Sequence, residues 1–250
     1  MKVMILCGGQ GTRIRDANWD LPKALIPIHG RPIIWHIMSH YAKHGLNEFI
    51  LCVGYKAEKI QHYFSEQPHP FKITYSNAGE AAMTGCRIKK AATLIQTTDE
   101  NFCLTYGDGI SDINISQLLT FHKNHQKILT LTAVNPPSRF GELMLDPQGN
   151  LIAFNEKPVK TERKISGGFF VCRREILNYL SEQPHCIFEK TPMDQLVQNQ
   201  TVKAFIHEGF WAAMDTYRDF IELNNSEMPQ YFIKNKENFD ALSAPMTALE

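Results

Sequence analysis

At 250 residues the chain is long enough for one large α/β domain with a sizeable core. Its 26 Lys and Arg match 26 Asp and Glu, and a formal net charge of zero removes any bulk attraction to nucleic acid or an acidic membrane. A hydrophobic fraction of 43% with 21% charged residues, no run long enough to span a bilayer and no signal-peptide pattern make a soluble cytoplasmic protein the expectation.

The first element is the short apolar strand Val3-Met4-Ile5-Leu6-Cys7, which runs into Gly8-Gly9-Gln10-Gly11-Thr12-Arg13. Glycines let the backbone approach a ligand and take positive φ, and their bare N–H groups can form an anion-binding concavity. Arg13 and then Lys23, in Leu21-Pro22-Lys23, would add positive charge around a polyphosphate; for Lys23 the competing reading is an ordinary surface lysine. The P-loop pattern is absent, and the third glycine of a dinucleotide fingerprint falls on Ile14. A nucleotide site is expected, but neither that of a P-loop ATPase nor that of a nicotinamide dehydrogenase.

Pro32 can open a helix that Gly45 closes. His36, His40 and His44 share one face of it. Two His four residues apart can ligate zinc, yet no H-E-x-x-H pattern completes them, and a solvated or interface face is expected; His122, His125 and His207 read the same way. Strand-like runs at 48–53, 72–75 and 101–105 alternate with helical patterns at 56–64, 84–96 and 115–124, before an apolar strand at 128–134. Such alternation predicts a Rossmann-like, mostly parallel sheet flanked by helices, with ligands beyond the carboxyl ends of the strands. The glycine loop and Asp108 both lie at that end. Asp108, between Gly107 and Gly109, is either a turn residue or a carboxylate for Mg²⁺, and Asp112 reads as a helix cap or loop residue.

After Pro136 the texture becomes β-rich. Runs 142–145 and 151–154 around Asp146-Pro147-Gln148-Gly149-Asn150 predict a hairpin. A strand at 165–171 carries Gly167 and Gly168 where a ligand or backbone passes closely. Helices at 173–180 and 192–198 and a strand at 202–206 follow, and this lobe reads as grafted onto the first half rather than independent. Asp215 stands before a helix, where the plain reading is an N-cap. Lys157, preceding Pro158, is biased to extended backbone. From Glu227 on, Pro229, Asn235, Asn238 and Pro245 interrupt the pattern, and residues 226–250 read as a tail that is loosely packed or contacts another subunit. The six cysteines form no C-x-x-C pair and read as buried thiols.

The combination of Gly8-Gly9-Gln10-Gly11-Thr12-Arg13 and Leu21-Pro22-Lys23 with Tyr106-Gly107-Asp108-Gly109 and Asn155-Glu156-Lys157-Pro158 resembles the sugar-1-phosphate nucleotidyltransferases. Ser166-Gly167-Gly168-Phe169-Phe170 and Phe210-Trp211-Ala212-Ala213-Met214-Asp215-Thr216 fall in that family's order, so the likeness covers about residues 1–225. Stretches 32–38, 137–141 and 209–216 resemble most the members that take CTP and glucose 1-phosphate, although the segment before Ala82-Met83-Thr84-Gly85-Cys86-Arg87 is shorter here.

The resemblance implies one domain over 1–225, with a nucleotide half at 1–135 and a sugar-phosphate half at 136–225. It implies a nucleotide on Leu6, Gly8, Gly9, Gly11, Thr12, Arg13, Lys23, Thr84, Gly85 and Gly107. A sugar phosphate would meet Gly141, Glu156, Lys157, Gly168 and Trp211, the last either stacking on the sugar or buried as core. Mg²⁺ would sit on Asp108 and Asp215, and Arg13, Lys23, Asp108 and Lys157 would carry catalysis. A homo-oligomer is expected by analogy. Uridylyl, thymidylyl and guanylyl transfer stay open as alternatives, as do, further off, a metal-dependent glycosyltransferase and a non-catalytic sugar-nucleotide binder.

Overall fold

A computed structural model describes residues 1–14, 20–136, 141–155 and 163–226. In chain order the strands are β1 (Val3–Leu6), β2 (Pro27–Ile28), β3 (Arg31–Pro32), β4 (Glu48–Val53), β5 (Lys72–Asn77), β6 (Asn101–Tyr106), β7 (Gly109–Ser111), β8 (Leu129–Val134), β9 (Glu142–Leu145), β10 (Leu151–Asn155), β11 (Ile165–Arg173), β12 (Val202–Ile206) and β13 (Trp211–Ala213). The helices are α1 (Ile33–Lys43), α2 (Ala57–Glu66), α3 (Thr84–Ala91), α4 (Ile115–Lys123), α5 (Thr191–Gln198) and α6 (Tyr217–Asn225).

Seven strands form one sheet in the order β12-β8-β11-β6-β1-β4-β5. All neighbours run parallel except β11, which is antiparallel to both β6 and β8. The later strands β8, β11 and β12 therefore continue the sheet begun by the first half, while the hairpin β9–β10 stands apart as a two-stranded unit. Alternation along β1 sends Val3 and Ile5 to one core, beneath α1, α2 and α4, and Met4 to the other, beneath α3 and α5.

Local chemistry sets the element ends. α1 closes with Gly45 at φ 79°, whose N–H bonds the Ala42 carbonyl while the Leu46 N–H reaches Tyr41. This is a Schellman ending, in which glycine takes the left-handed position without a Cβ clash. Asn114 caps α4 through the Gln117 N–H. Thr216 caps α6 in a reciprocal box with Asp219.

Several expectations change. Residues 174–179 form a 3₁₀ helix, because β11 stays extended as far as Arg173 against β6. Of the two readings of Asp112 the loop one holds, between β7 and α4, where it pairs with His207 at 3.0 Å. On the histidine face of α1 only His40 (2% exposed) is buried, bonded to the Ile113 carbonyl; His36, on the Ile28 carbonyl, and His44, on the Ser116 hydroxyl, are half-buried against neighbouring elements. His122 and His125 are buried as well. The Lys127 N–H donates to His125 Nδ1, so His125 Nε2–H donates to Thr130, whose hydroxyl donates to His122 Nδ1, leaving His122 Nε2–H for Asn101. One backbone N–H thus fixes both tautomers. All six cysteines are free thiols, and burial pushes Cys7, Cys52 and Cys103 up so that they keep their protons.

Candidate active site

The register aligns Leu6 of β1 with Cys52 of β4 and Tyr106 of β6, so the glycine loop, Gly54 and Gly107-Asp108 leave the sheet at the same edge. A cavity of about 360 Å³ opens there. Its lining includes Leu6, Gly8, Gly9, Gly11, Thr12, Arg13, Lys23, Thr84, Arg87, Tyr106, Gly107, Asp108 and Asp215. A larger depression of about 770 Å³, lined by Lys89, Asn101, His122, Arg173 and Arg174 among others, lies at the amino end of β6. There the cations serve the fold: Lys89 bonds the Leu177 carbonyl, Arg173 that of His125 and Arg174 that of Gln96. The smaller cavity has the ligand-binding position of an open α/β sheet.

The glycine loop is shaped by contact. A Cβ on Gly8 would lie 2.2 Å from Arg87 Nη1 and 2.6 Å from the Val53 carbonyl carbon, and one on Gly54 would meet the same guanidinium at 2.2 Å. Arg87, only 4% exposed, is held between these glycines and donates to the carbonyls of Val53 (2.6 Å), Gly8 (2.9 Å) and Glu80 (3.3 Å). Burial lowers its pKa. In the sequence Arg87 only ends the stretch Ala82-Met83-Thr84-Gly85-Cys86-Arg87, with no role of its own. A buried arginine that braces a loop has no local signature, because its partners are backbone atoms on other elements.

Asp108 and Asp215 are brought together by the ribbon of β7 and β13. Ala213 pairs with Gly109, and the Met214 N–H donates to the Asp108 carbonyl at 2.9 Å. Because Thr216 and Asp219 cap α6, the Asp215 carboxylate is not used as a cap. Lys23 Nζ lies between the two acids, 2.5 Å from Asp108 Oδ2 and 2.8 Å from Asp215 Oδ1, while Arg13 Nη1 is 3.4 Å from Asp215 Oδ2. Lys23 is 15% exposed and Arg13 76%. Two cations and two carboxylates thus share one rim. The acids already converge on one cation, the lysine ammonium, and a pair of hard oxygen donors beside a phosphate cradle fits Mg²⁺, which takes one or two carboxylates plus substrate phosphates. Among the described residues no cluster of three or more Asp, Glu, His or Cys is formed.

Other expected site residues are placed differently. Gly85 packs on Cys186, where a Cβ would meet Sγ at 2.6 Å, and does not line the cavity. Gly168, at φ 77°, abuts the Tyr106 ring, and a Cβ there would lie 2.5 Å from Cδ2. Trp211 is half-buried and donates its indole N–H to the Gly167 carbonyl at 2.7 Å. Gly141 directly precedes β9 and is not among the residues lining the cavity. Glu156 and Lys157 lie outside the described residues, as does the tail beyond Ser226.

Fold and site together define an α/β protein with a glycine phosphate cradle and a paired-carboxylate rim. The family model described as nucleotidyl transferase matches residues 2–229, and the chain belongs to that family, in its sugar-1-phosphate branch. It is 38% identical over 245 residues to a probable glucose-1-phosphate cytidylyltransferase of Bacillus subtilis, covering 90% of this chain and 95% of that one. It is 36% identical to a D-glycero-alpha-D-manno-heptose 1-phosphate guanylyltransferase of Campylobacter jejuni over 76% of this chain and 84% of that one. In fold it is similar to a putative glucose-1-phosphate thymidylyltransferase from Bacillus anthracis, with TM-score 0.70 and 16% identity over 93% of this chain and 99% of that one.

Proposed function

We propose that the chain transfers a cytidylyl group from CTP to glucose 1-phosphate, giving CDP-glucose and pyrophosphate. The convergence of Lys23 with Asp108 and Asp215 at the mouth of the glycine-lined cavity carries the chemistry, and the cytidylyltransferase relative supports the choice of substrates. A sugar-phosphate oxygen is already anionic at neutral pH and needs no general base. It attacks the α-phosphorus of the nucleotide in line; the new O–P bond forms as the bond to the β-phosphate oxygen breaks, and its electron pair leaves with pyrophosphate. Positioning two such anions can lower the barrier by ~7–11 kcal/mol.

The glycine N–H groups and Arg13 hold the triphosphate, and Lys23 stabilises charge on the departing pyrophosphate. Lys157 holds the incoming phosphate and Glu156 accepts from sugar hydroxyls. Asp108 and Asp215 would hold Mg²⁺, which would supply positive charge against the phosphates. Residues 1–225 work as one domain, with the nucleotide on 1–135 and the sugar phosphate on 136–225. The chain acts in the cytoplasm as a homo-oligomer; no helix among the described residues is long and apolar enough to cross a membrane.

The test is pyrophosphate release with Mg²⁺, offering CTP, UTP, dTTP, GTP and ATP with glucose 1-phosphate. Release with CTP is expected. Release with another base alone would replace the cytidylyl assignment, and no release across a panel of sugar 1-phosphates would defeat the transfer reading.

A further inference from the structure

Two side chains of the cavity wall, Thr84 at the start of α3 and Tyr106 at the end of β6, turn their hydroxyls onto one carboxylate. Thr84 Oγ1 lies 2.6 Å from Glu189 Oε2, and Tyr106 Oη lies 2.7 Å from Glu189 Oε1. The Phe188 N–H donates to Thr84 Oγ1 at 2.9 Å. An ionised carboxylate only accepts, so both hydroxyl protons are committed to Glu189. What the two side chains still offer the cavity is oxygen lone pairs.

We propose that Glu189 makes this wall of the cavity acceptor-only, so that a substrate is selected there by a hydrogen-bond donor. The inference rests on the transfer reading above and adds a specificity-determining residue to it. The donor chemistry has two sources in that reaction, the exocyclic amine of cytosine and a hydroxyl of the sugar. Uracil presents a carbonyl oxygen where cytosine presents its amine, and lone pairs facing lone pairs would disfavour it.

The Tyr106 side of the wall is held in place, while Glu189 itself is exposed. The Tyr106 ring is confined by Gly168 on one side, where even a Cβ would sit 2.5 Å from it, and by an edge contact to Phe170 at 5.5 Å between ring centroids. Burial and the Glu189 charge raise the phenol pKa, so the proton stays on Tyr106. A site built for a donor rejects an analogue lacking one far more strongly than an apolar pocket rejects a missing methylene.

The experiment compares Glu189→Gln with the wild type. Glutamine offers one acceptor oxygen and one donor nitrogen, so one hydroxyl loses its acceptor and can donate into the cavity. kcat/KM would be measured for CTP and UTP with glucose 1-phosphate, and for the ring-deoxyfluoro glucose 1-phosphates with CTP. If the base is read, the CTP-over-UTP preference should fall about tenfold or more. If a sugar hydroxyl is read, that preference should hold while the penalty for fluorine at one position shrinks about tenfold. Tyr106→Phe, which keeps the ring, should move the same ratio and covers the case in which Glu189→Gln fails to fold. An equal loss on every substrate in either variant would show a structural tie only and overturn the proposal. If the wild type turns over no substrate, the transfer reading fails separately. The wall is then judged by dissociation constants for CTP and UTP, and a ratio unmoved by Glu189→Gln or Tyr106→Phe refutes it.

Discussion

Replacing Arg87 with alanine should destabilise the fold by about 4 kcal/mol and loosen the nucleotide loop. The guanidinium is 4% exposed and makes two close bonds, to the Val53 and Gly8 carbonyls at 2.6 and 2.9 Å, and a longer one to Glu80 at 3.3 Å. A hydrogen bond to a charged group contributes ~1.5–3 kcal/mol, and removing one partner leaves the other unsatisfied. Two full bonds give ~3–6 kcal/mol, and water entering from the adjoining cavity would offset part of it. In a chain of this size that corresponds to a fall in Tm of roughly 10 °C. Because the same side chain fills the space between Gly8 and Gly54, CTP affinity should weaken together with stability. Urea unfolding followed by circular dichroism, with calorimetric titration of CTP, measures both. Arg87→Lys should recover part of the loss, since an ammonium can reach one or two of the three carbonyls. An Arg87→Ala protein within about 1 kcal/mol of wild type, with unaltered CTP affinity, would refute the reasoning.

Asp108→Asn should reduce kcat by roughly 10²–10³ while CTP still binds; pyrophosphate release and CTP titration separate the two, and unchanged turnover would remove Asp108 from the mechanism. Gly168→Ala places a methyl on a residue at φ 77° and against the Tyr106 ring, so both Tm and kcat/KM should drop; wild-type values would show that the loop moves at no cost. Burial holds His40 down to about 3 and His36 and His122 to about 4. All three stay neutral in the fold but take up a proton at about pH 6.5 once unfolded, so their stabilisation is complete above pH 6.5 and is lost as pH falls toward 4. At pH 5 the three together should remove roughly 6 kcal/mol. Urea midpoints at pH 7 and 5 report this, His122→Gln should remove about a third of the difference, and equal midpoints would show that none of the three is held neutral.

Much of the frame was legible along the chain. The strand-like runs matched β4, β9 and β12 to the residue, and Pro32 and Gly45 bracketed α1 because both act through local backbone geometry. The glycine loop and Lys23 were legible for the same reason, since conformational freedom and charge belong to the residues themselves.

Tertiary structure decided what depends on partners distant in sequence. Thr216-Tyr217-Arg218-Asp219 carries a local capping-box pattern that marks Thr216 as the cap, but nothing near Asp215 indicates that pairing of β13 with β7 sets it beside Lys23 and Asp108. The polar spacing of His36, His40 and His44 suits solvent as well as core; only the carbonyls of Ile28 and Ile113 and the Ser116 hydroxyl, supplied from other elements, bury His40 and half-bury the other two. Glu189 carries no motif and Arg87 only closes one, and the roles of both exist only where Gly8, Val53, Thr84 and Tyr106 meet them. Propensity, periodicity and turn chemistry are local and are written in the sequence, whereas a hydrogen bond between residues 84 and 189 arises only when the sheet has closed around the cavity.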